Sequence, residues 1–319
     1  MDVYPTIYQL YPYIEAYAKG VLDLDGHHKM YWEVSGNPDG LPVVFLHGGP
    51  GAGASPSHRR FFDPEHYKII IFDQRGSGRS EPFADITDNT TQHLVADLET
   101  LRQHLRVETW LIFGGSWGSS LALAYGLAHP DRVAGFVLRG LFLCTQKELA
   151  WFFDGIQTVF PEKWRDFKNY LPKNEQNDLL HAYHERLVSL DEAIHQPAAR
   201  VWGHFEEACS TLLPSSRSLA GLDSGHVPLA LARIESHYFV NNFFLPDNYF
   251  FENIDKISHI PAVIVQGRYD MICPIVTADK LVQDWSKAKL VIVPDAGHSA
   301  MEPAVRSALI SATEWFKSS

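Results

Sequence analysis

A glycine-flanked serine, an aspartate and a histidine, each just beyond an apolar run, are the residue types that acyl transfer requires. Gly114-Gly115-Ser116-Trp117-Gly118 follows Trp110-Leu111-Ile112-Phe113 and precedes Ser119 to His129, which reads as a helix. Strand, sharp turn with a central serine, then helix lifts a hydroxyl clear of a sheet edge. The turn strains the serine backbone, and small neighbours let strand and helix approach. A serine hydroxyl is a weak nucleophile at neutral pH and needs a base, oriented in turn by a carboxylate. Where the serine sits on such a strand-to-helix elbow, these follow it in the order Asp, His. Pro261 to Gly267 reads as a buried strand that runs into Arg268-Tyr269-Asp270. Lys289 to Val293 reads as the next strand, leading to Pro294-Asp295-Ala296-Gly297-His298. Asp270 and His298 thus join Ser116 beyond strand carboxyl ends, where such sheets bind ligands. The chain has 16 histidines, so His298 stands out by its place after the last strand and by Gly297 before it. Asp295 competes for the acid role but lies only three residues before His298, and Asp279 falls on the following helix.

A tetrahedral intermediate also needs rigid N–H donors for its oxyanion. Trp117, next after the nucleophile, supplies one. The loop His47-Gly48-Gly49-Pro50-Gly51 after the strand Val43 to Leu46 supplies the other, with Gly49 favoured and Gly48 the alternative. The same glycines resemble a phosphate-cradling loop, but no Gly-Lys-Ser/Thr follows, and no Gly-x-Gly-x-x-Gly opens a clear helix.

The elements that position these residues alternate. Gly20 to Gly26 and His28 to Val34 alternate with period two around Asp25-Gly26, which predicts an opening hairpin. Lys68 to Phe72 is a buried strand, and Asp73-Gln74-Arg75-Gly76-Ser77-Gly78-Arg79-Ser80 is its loop, whose Arg75 and Arg79 are expected to form structural ion pairs. A helix over Thr90 to Leu105, the nucleophile strand and a strand over Val133 to Leu138 complete a parallel α/β pattern with helices on both faces. From 142 to 253 the helical period takes over and aromatics crowd in: Trp151, Phe152, Phe153, Phe160, Trp164, Trp202 and Phe205. This predicts a helical cap over residues 142–253, inserted into a core formed by 1–141 and 254–319. Val305 to Phe316 reads as a closing helix.

With 319 residues and 45% hydrophobic content the chain suffices for one large core with an insertion. A net charge of −11 argues against nucleic acid or anionic membrane as partner. No apolar run reaches the ~18 residues of a spanning helix, and Met1 to Pro5 lacks the basic-then-apolar order of a secretion signal. Cys144, Cys209 and Cys273 have no metal-type spacing. A cytoplasmic, reduced location is expected, with no cofactor and no metal; nothing in the sequence specifies an oligomeric state. Cys273, three residues past Asp270, is either a neighbour of the site or a buried spectator.

Taken together, the segments His47–Gly51, Asp73–Ser80, Gly114–Gly118, Arg139-Gly140, Gly267–Asp270 and Gly297-His298 resemble the prolyl aminopeptidases (proline iminopeptidases) over nearly the whole length. Those are α/β-hydrolase serine peptidases with a helical cap that remove an N-terminal proline from peptides without metal or cofactor. The resemblance implies a prolyl ester on Ser116 as intermediate. An aminopeptidase must also hold a cationic amine, which calls for fixed carboxylates. The resemblance implies Glu206 and Glu235 for that role and Phe142, Phe152 and Phe239 for the proline slot. Without it, each glutamate is simply one residue on an amphipathic helix. The chain departs from the family pattern at Phe205, where a second tryptophan is usual, and Glu207 beside Glu206 is an alternative ligand. Phe152 stands where tyrosine is common. Another serine hydrolase on this scaffold, such as an esterase, lactonase or amino-acid amidase, is the alternative function.

Overall fold

A computed structural model describes residues 7–213 and 227–318 of the chain; Met1 to Pro5 lie outside them. Eight strands form one sheet in the order β1-β2-β4-β3-β5-β6-β7-β8. They are β1 (Ala16–Asp23), β2 (Lys29–Gly36), β3 (Leu41–Leu46), β4 (Tyr67–Phe72), β5 (Trp110–Gly115), β6 (Val133–Arg139), β7 (Ala262–Gly267) and β8 (Ala288–Val293). Strand β2 is antiparallel to both neighbours, and every pair from β4 to β8 is parallel. The sheet is therefore mostly parallel, as expected.

The apolar runs form central strands because both of their faces are covered. In β3, Val44 and Leu46 enter one core while Val43 and Phe45 enter the other, and Ile112 of β5 is divided in the same way from Leu111 and Phe113. The first core lies under α1 (Thr91–His104), α2 (Trp117–Ala128) and α9 (Val276–Asp284). The second is sealed by α10 (Pro303–Phe316) through Val305, Leu309 and Ile310. Strand order reverses where β3 lies between β4 and β5, which opens the crevice that such sheets use for ligands. The loops carrying Gly49 and Ser116 leave the sheet at that crevice.

The opening hairpin forms, but β1 starts earlier than the alternation suggested and stops at Asp23. Side chains account for the earlier stop. Asp23 Oδ1 accepts from Gly26 N at 2.7 Å, and Asp25 Oδ1 from His27 N and His28 N at 3.0 and 2.7 Å. These bonds replace ladder pairing across the turn. Arg75 and Arg79 are structural, as anticipated. The Arg75 guanidinium grips buried Asp97 with Nε at 2.6 Å and Nη2 at 2.8 Å. Arg79 bonds Asp73 at 2.7 Å and Glu33 at 3.2 Å.

Between β6 and β7 the described elements are helical: α3 (Gln146–Phe153), α4 (Pro161–Asn169), α5 (Leu179–Leu187), α6 (Glu192–Ser210), α7 (Val227–Val240) and α8 (Tyr249–Asn253), with short 3-10 turns. Helix α6 packs against α5 and α7. Trp202 of α6 sits at the centre of an aromatic cluster with Phe152, Phe167, Tyr183 and Phe239, ring centroids 5.6 to 6.1 Å away. This layer is fastened to the sheet domain at a left-handed turn, Asn242 to Phe244, with φ of 50°, 55° and 57°. The turn carbonyls accept from Thr91 Oγ1 and Gln92 Nε2 at 2.6 and 2.7 Å, and the Phe243 ring stacks near Trp117. Among the described residues, no helix is long and apolar enough to cross a membrane.

Candidate active site

Ser116 occupies the turn between β5 and α2 with φ 56° and ψ −129°, a strained conformation for a residue with a side chain. Its amide donates to Arg139 O at 2.8 Å and its carbonyl accepts from Ser119 N at 2.8 Å. A Cβ on Gly118 would lie 2.2 Å from Leu46 O, so glycine is what lets α2 start against β3. Trp117 is the first residue of α2, where backbone amides have no intrahelical acceptor.

The loop after β4 braces both predicted oxyanion donors, a role the sequence did not reveal. Gln74 Oε1 accepts from Trp117 Nε1 at 2.9 Å, and Gln74 Nε2 donates to His47 O at 2.9 Å. Gln74 N donates to His47 Nε2 at 3.0 Å. One side chain thereby ties the Gly48-Gly49 loop to the nucleophile helix. Both glycines sit against the serine: an ideal Cβ on Gly48 would be 3.8 Å from Ser116 Oγ, and Gly49 shares the lining of both cavities at the turn.

Asp270 and His298 come together beyond β7 and β8. Nδ1 of His298 is 2.8 Å from Asp270 Oδ2. The other carboxylate oxygen accepts from Ile272 N at 3.1 Å and Cys273 N at 2.7 Å. Asp295 and Asp279 are exposed, so neither competes. Gln266 was also missed: its Nε2 donates to Asp270 Oδ2 at 3.2 Å and to Cys273 O at 2.9 Å. The available sequence signal was one amide in an otherwise apolar strand.

The link to Ser116 differs from expectation. Nε2 of His298 meets Arg139 Nη1 at 2.8 Å, while Ser116 and Cys273 line the same narrow pocket. Ser116 and His298 nonetheless line one cavity of about 230 Å³. Nucleophile and base often close only on substrate. Cys273 is therefore a neighbour of the nucleophile, and burial raises its pKa well above the ordinary thiol value. Asp270, Cys273 and His298 bring one metal-ligating atom each within 4.8 Å of one another. Their donors are committed otherwise, since Nδ1 of His298 is bound to Asp270 and the thiol is held protonated.

Gly140 makes the acid–base pair possible. At φ 54°, a Cβ there would lie 2.8 Å from both Cε1 and Nδ1 of His298 and 3.1 Å from Asp270 Oδ2. Gly140→Ala is expected to push the imidazole aside and lower kcat by about 10²-fold, since misplacement by about 1 Å costs that much. Steady-state kinetics with a thermal melt checks it; unchanged kcat would mean that the pair tolerates the added methyl.

The cap supplies the rest. Phe142, Phe152 and Phe239 line a narrow pocket together with Ser116, Gly49 and Glu235, so the three predicted aromatics meet. Glu206 lines the neighbouring cavity that holds Ser116 and His298, and its carboxyl lies beside that of Glu235. Glu235 Oε2 accepts from Trp202 Nε1 at 2.6 Å, while Glu206 Oε2 is buried without a partner. Burial raises the Glu206 carboxyl to about 7. Burial, then the charge of Glu206, raises Glu235 well above the usual carboxylate range. Two neighbouring carboxyls with a vacant acceptor form a site ready for a cation.

Residues 42–304 match the alpha/beta hydrolase fold family. A proline iminopeptidase of Arabidopsis thaliana is 51% identical over 97% of this chain and 82% of its own. A probable proline iminopeptidase of Leptolyngbya boryana is 48% identical over 97% of each chain. The chain belongs to the proline iminopeptidase family. The crystallised esterase of Exiguobacterium antarcticum superposes with TM-score 0.65 at 18% identity, covering 94% of this chain and 99% of its own; this likeness speaks to fold alone. The aromatic pocket and the cavity lined by Glu206 and His298 meet at Gly49 and Ser116, which line both.

Proposed function

We propose that Ser116, His298 and Asp270 carry out the reaction of this family here, hydrolysis of the bond that follows an N-terminal proline. The chain is a prolyl aminopeptidase, a serine hydrolase acting as an exopeptidase on peptides. The carboxyl pair Glu206–Glu235 beside the aromatic pocket is the observation that supports this reading over a general esterase, which has no amine to bind.

The prolyl ring enters between Phe142, Phe152 and Phe239, and its cationic nitrogen turns toward Glu206 and Glu235. The scissile carbonyl then lies over Ser116, with Gly49 N and Trp117 N directed at its oxygen. The Ser116 oxygen bonds to the carbonyl carbon as its proton passes to Nε2 of His298, and Asp270 stabilises the imidazolium through Nδ1. His298 gives that proton to the leaving nitrogen, the carbon–nitrogen bond breaks, and the prolyl group remains as an ester on Ser116. Water, deprotonated by His298, attacks the ester and releases proline. Glu206 rather than Glu207 is the amine ligand, since Glu206 lines the cavity and pairs with Glu235.

A rate comparison on proline naphthylamide, alanine naphthylamide and a small acyl ester tests the reading. The prolyl amide should be cleaved fastest among the amides. Good turnover of the ester with none of the prolyl amide would assign the chain to the esterases instead.

A further inference from the structure

Arg139 ends β6 and lies flat against the residue before the nucleophile. A Cβ on Gly115 would sit 2.6, 2.8 and 2.9 Å from its Nη2, Nε and Cζ. Nη1 donates to Nε2 of His298 at 2.8 Å and to His298 O at 3.0 Å. Nε is buried with no acceptor. No carboxylate among the described residues forms an ion pair with this guanidinium. A cation in such a place calls for an anion, and the shorter of its two bonds to His298 occupies the lone pair that the reaction needs.

The cavity it faces adjoins the aromatic pocket and shares Gly49 and Ser116 with it. Gly48, Gly49, His58, Leu231 and Glu206 bound it alongside Ser116 and His298. With the prolyl ring in the aromatic pocket, this second cavity receives the leaving-group side of the substrate. His58 is uncharged there, because burial pulls its pKa down to about 4. Glu206 is neutralised by the substrate amine. Arg139 is thus the one permanent cation among the residues lining this cavity.

We propose that Arg139 binds the free C-terminal carboxylate of the residue after proline, making Pro-X dipeptides the preferred substrates, and that this binding draws the guanidinium off His298. The inference rests on the prolyl aminopeptidase reading above. In a dipeptide the carboxylate carbon is two bonds from the leaving nitrogen, which is the atom that Nε2 of His298 must protonate. A guanidinium already on Nε2 is therefore within reach of that carboxylate. Its planar fork can take both oxygens, a stronger pairing than its bond to a neutral imidazole. Nε2 is then released to Ser116. A longer peptide or an amide offers a neutral group at the same place and leaves Arg139 on the base.

The test measures kcat/KM for Pro-Ala and for Pro-Ala amide by proline release at neutral pH, in the wild type, Arg139→Gln and Arg139→Lys. The wild type should favour the free acid by roughly tenfold or more, the range of a hydrogen bond to a charged group. Arg139→Gln should bring the ratio close to one, and Arg139→Lys should retain part of it, since lysine lacks the fork. A merely structural role would lower both rates and leave the ratio unchanged, which would overturn the proposal. Equal wild-type rates on acid and amide would also overturn it while leaving the prolyl reading intact. Cleavage of neither prolyl substrate would remove the reading and the proposal together. The wild-type comparison decides even if a variant fails to fold.

Discussion

Replacing Ser116 with alanine is expected to lower turnover of a prolyl amide by about 10⁴-fold or more while the fold persists. The large effect follows from the division of labour at the site. In the proposed mechanism His298 and Asp270 have no covalent role of their own, and the oxyanion donors stabilise only an intermediate that Ser116 must form. The substitution is mild structurally. Alanine keeps the Cβ at φ 56°, so the turn bears the same strain, and the loss is one hydroxyl. Circular dichroism and the melting temperature should match the wild type, and a fluorophosphonate should label the wild type but not the variant. Substantial turnover in a folded Ser116→Ala protein would place the nucleophile elsewhere.

The second large effect belongs to Glu235. Glu235→Gln keeps the shape and an acceptor for Trp202 Nε1, so the aromatic cluster is conserved, but it removes a carboxyl that could give up its proton to face a cation. Losing that ionisable partner for the substrate amine should cost about 10²-fold or more in kcat/KM on free-amine prolyl substrates. A small neutral ester, which has no amine to place, should be nearly unaffected. Parallel assays of both substrates separate the roles. Equal losses would make Glu235 a packing residue of α7 and would leave the amine to Glu206 alone.

How much of this was legible in the sequence depends on what each residue does locally. The turn at Ser116 announces itself because glycine at 118 answers to a backbone 2.2 Å away, and steric demands of that kind leave a fixed spelling. The strands of the central sheet are readable for the same reason, since burial on both faces writes continuous apolar runs. The outer hairpin is less so, because the carboxylates of Asp23 and Asp25 set its turn and period-two alternation does not record side-chain bonds. The bracing amides Gln74 and Gln266 were invisible as functional residues. Each is a single polar letter whose meaning lies in partners 43 and 4 positions away. Glu206 and Glu235 sit on different helices, and only the resemblance to a family picked them from the chain's other acids. Arg139 was seen as part of a motif, but its seat on the imidazole comes from β6 and the His298 loop ending side by side, which no local pattern encodes.

The carboxyl pair of the cap has one more consequence. With Glu235 held protonated by burial and Glu206 raised to about 7, the vacant enzyme near neutrality already stores a hydrogen ion where the ammonium of a substrate is to dock. The two are rivals for one negative seat, and docking amounts to trading one positive charge for another. Lowering the pH through this range is therefore expected to weaken binding of free-amine substrates as a competing ligand would, which the pH dependence of KM checks.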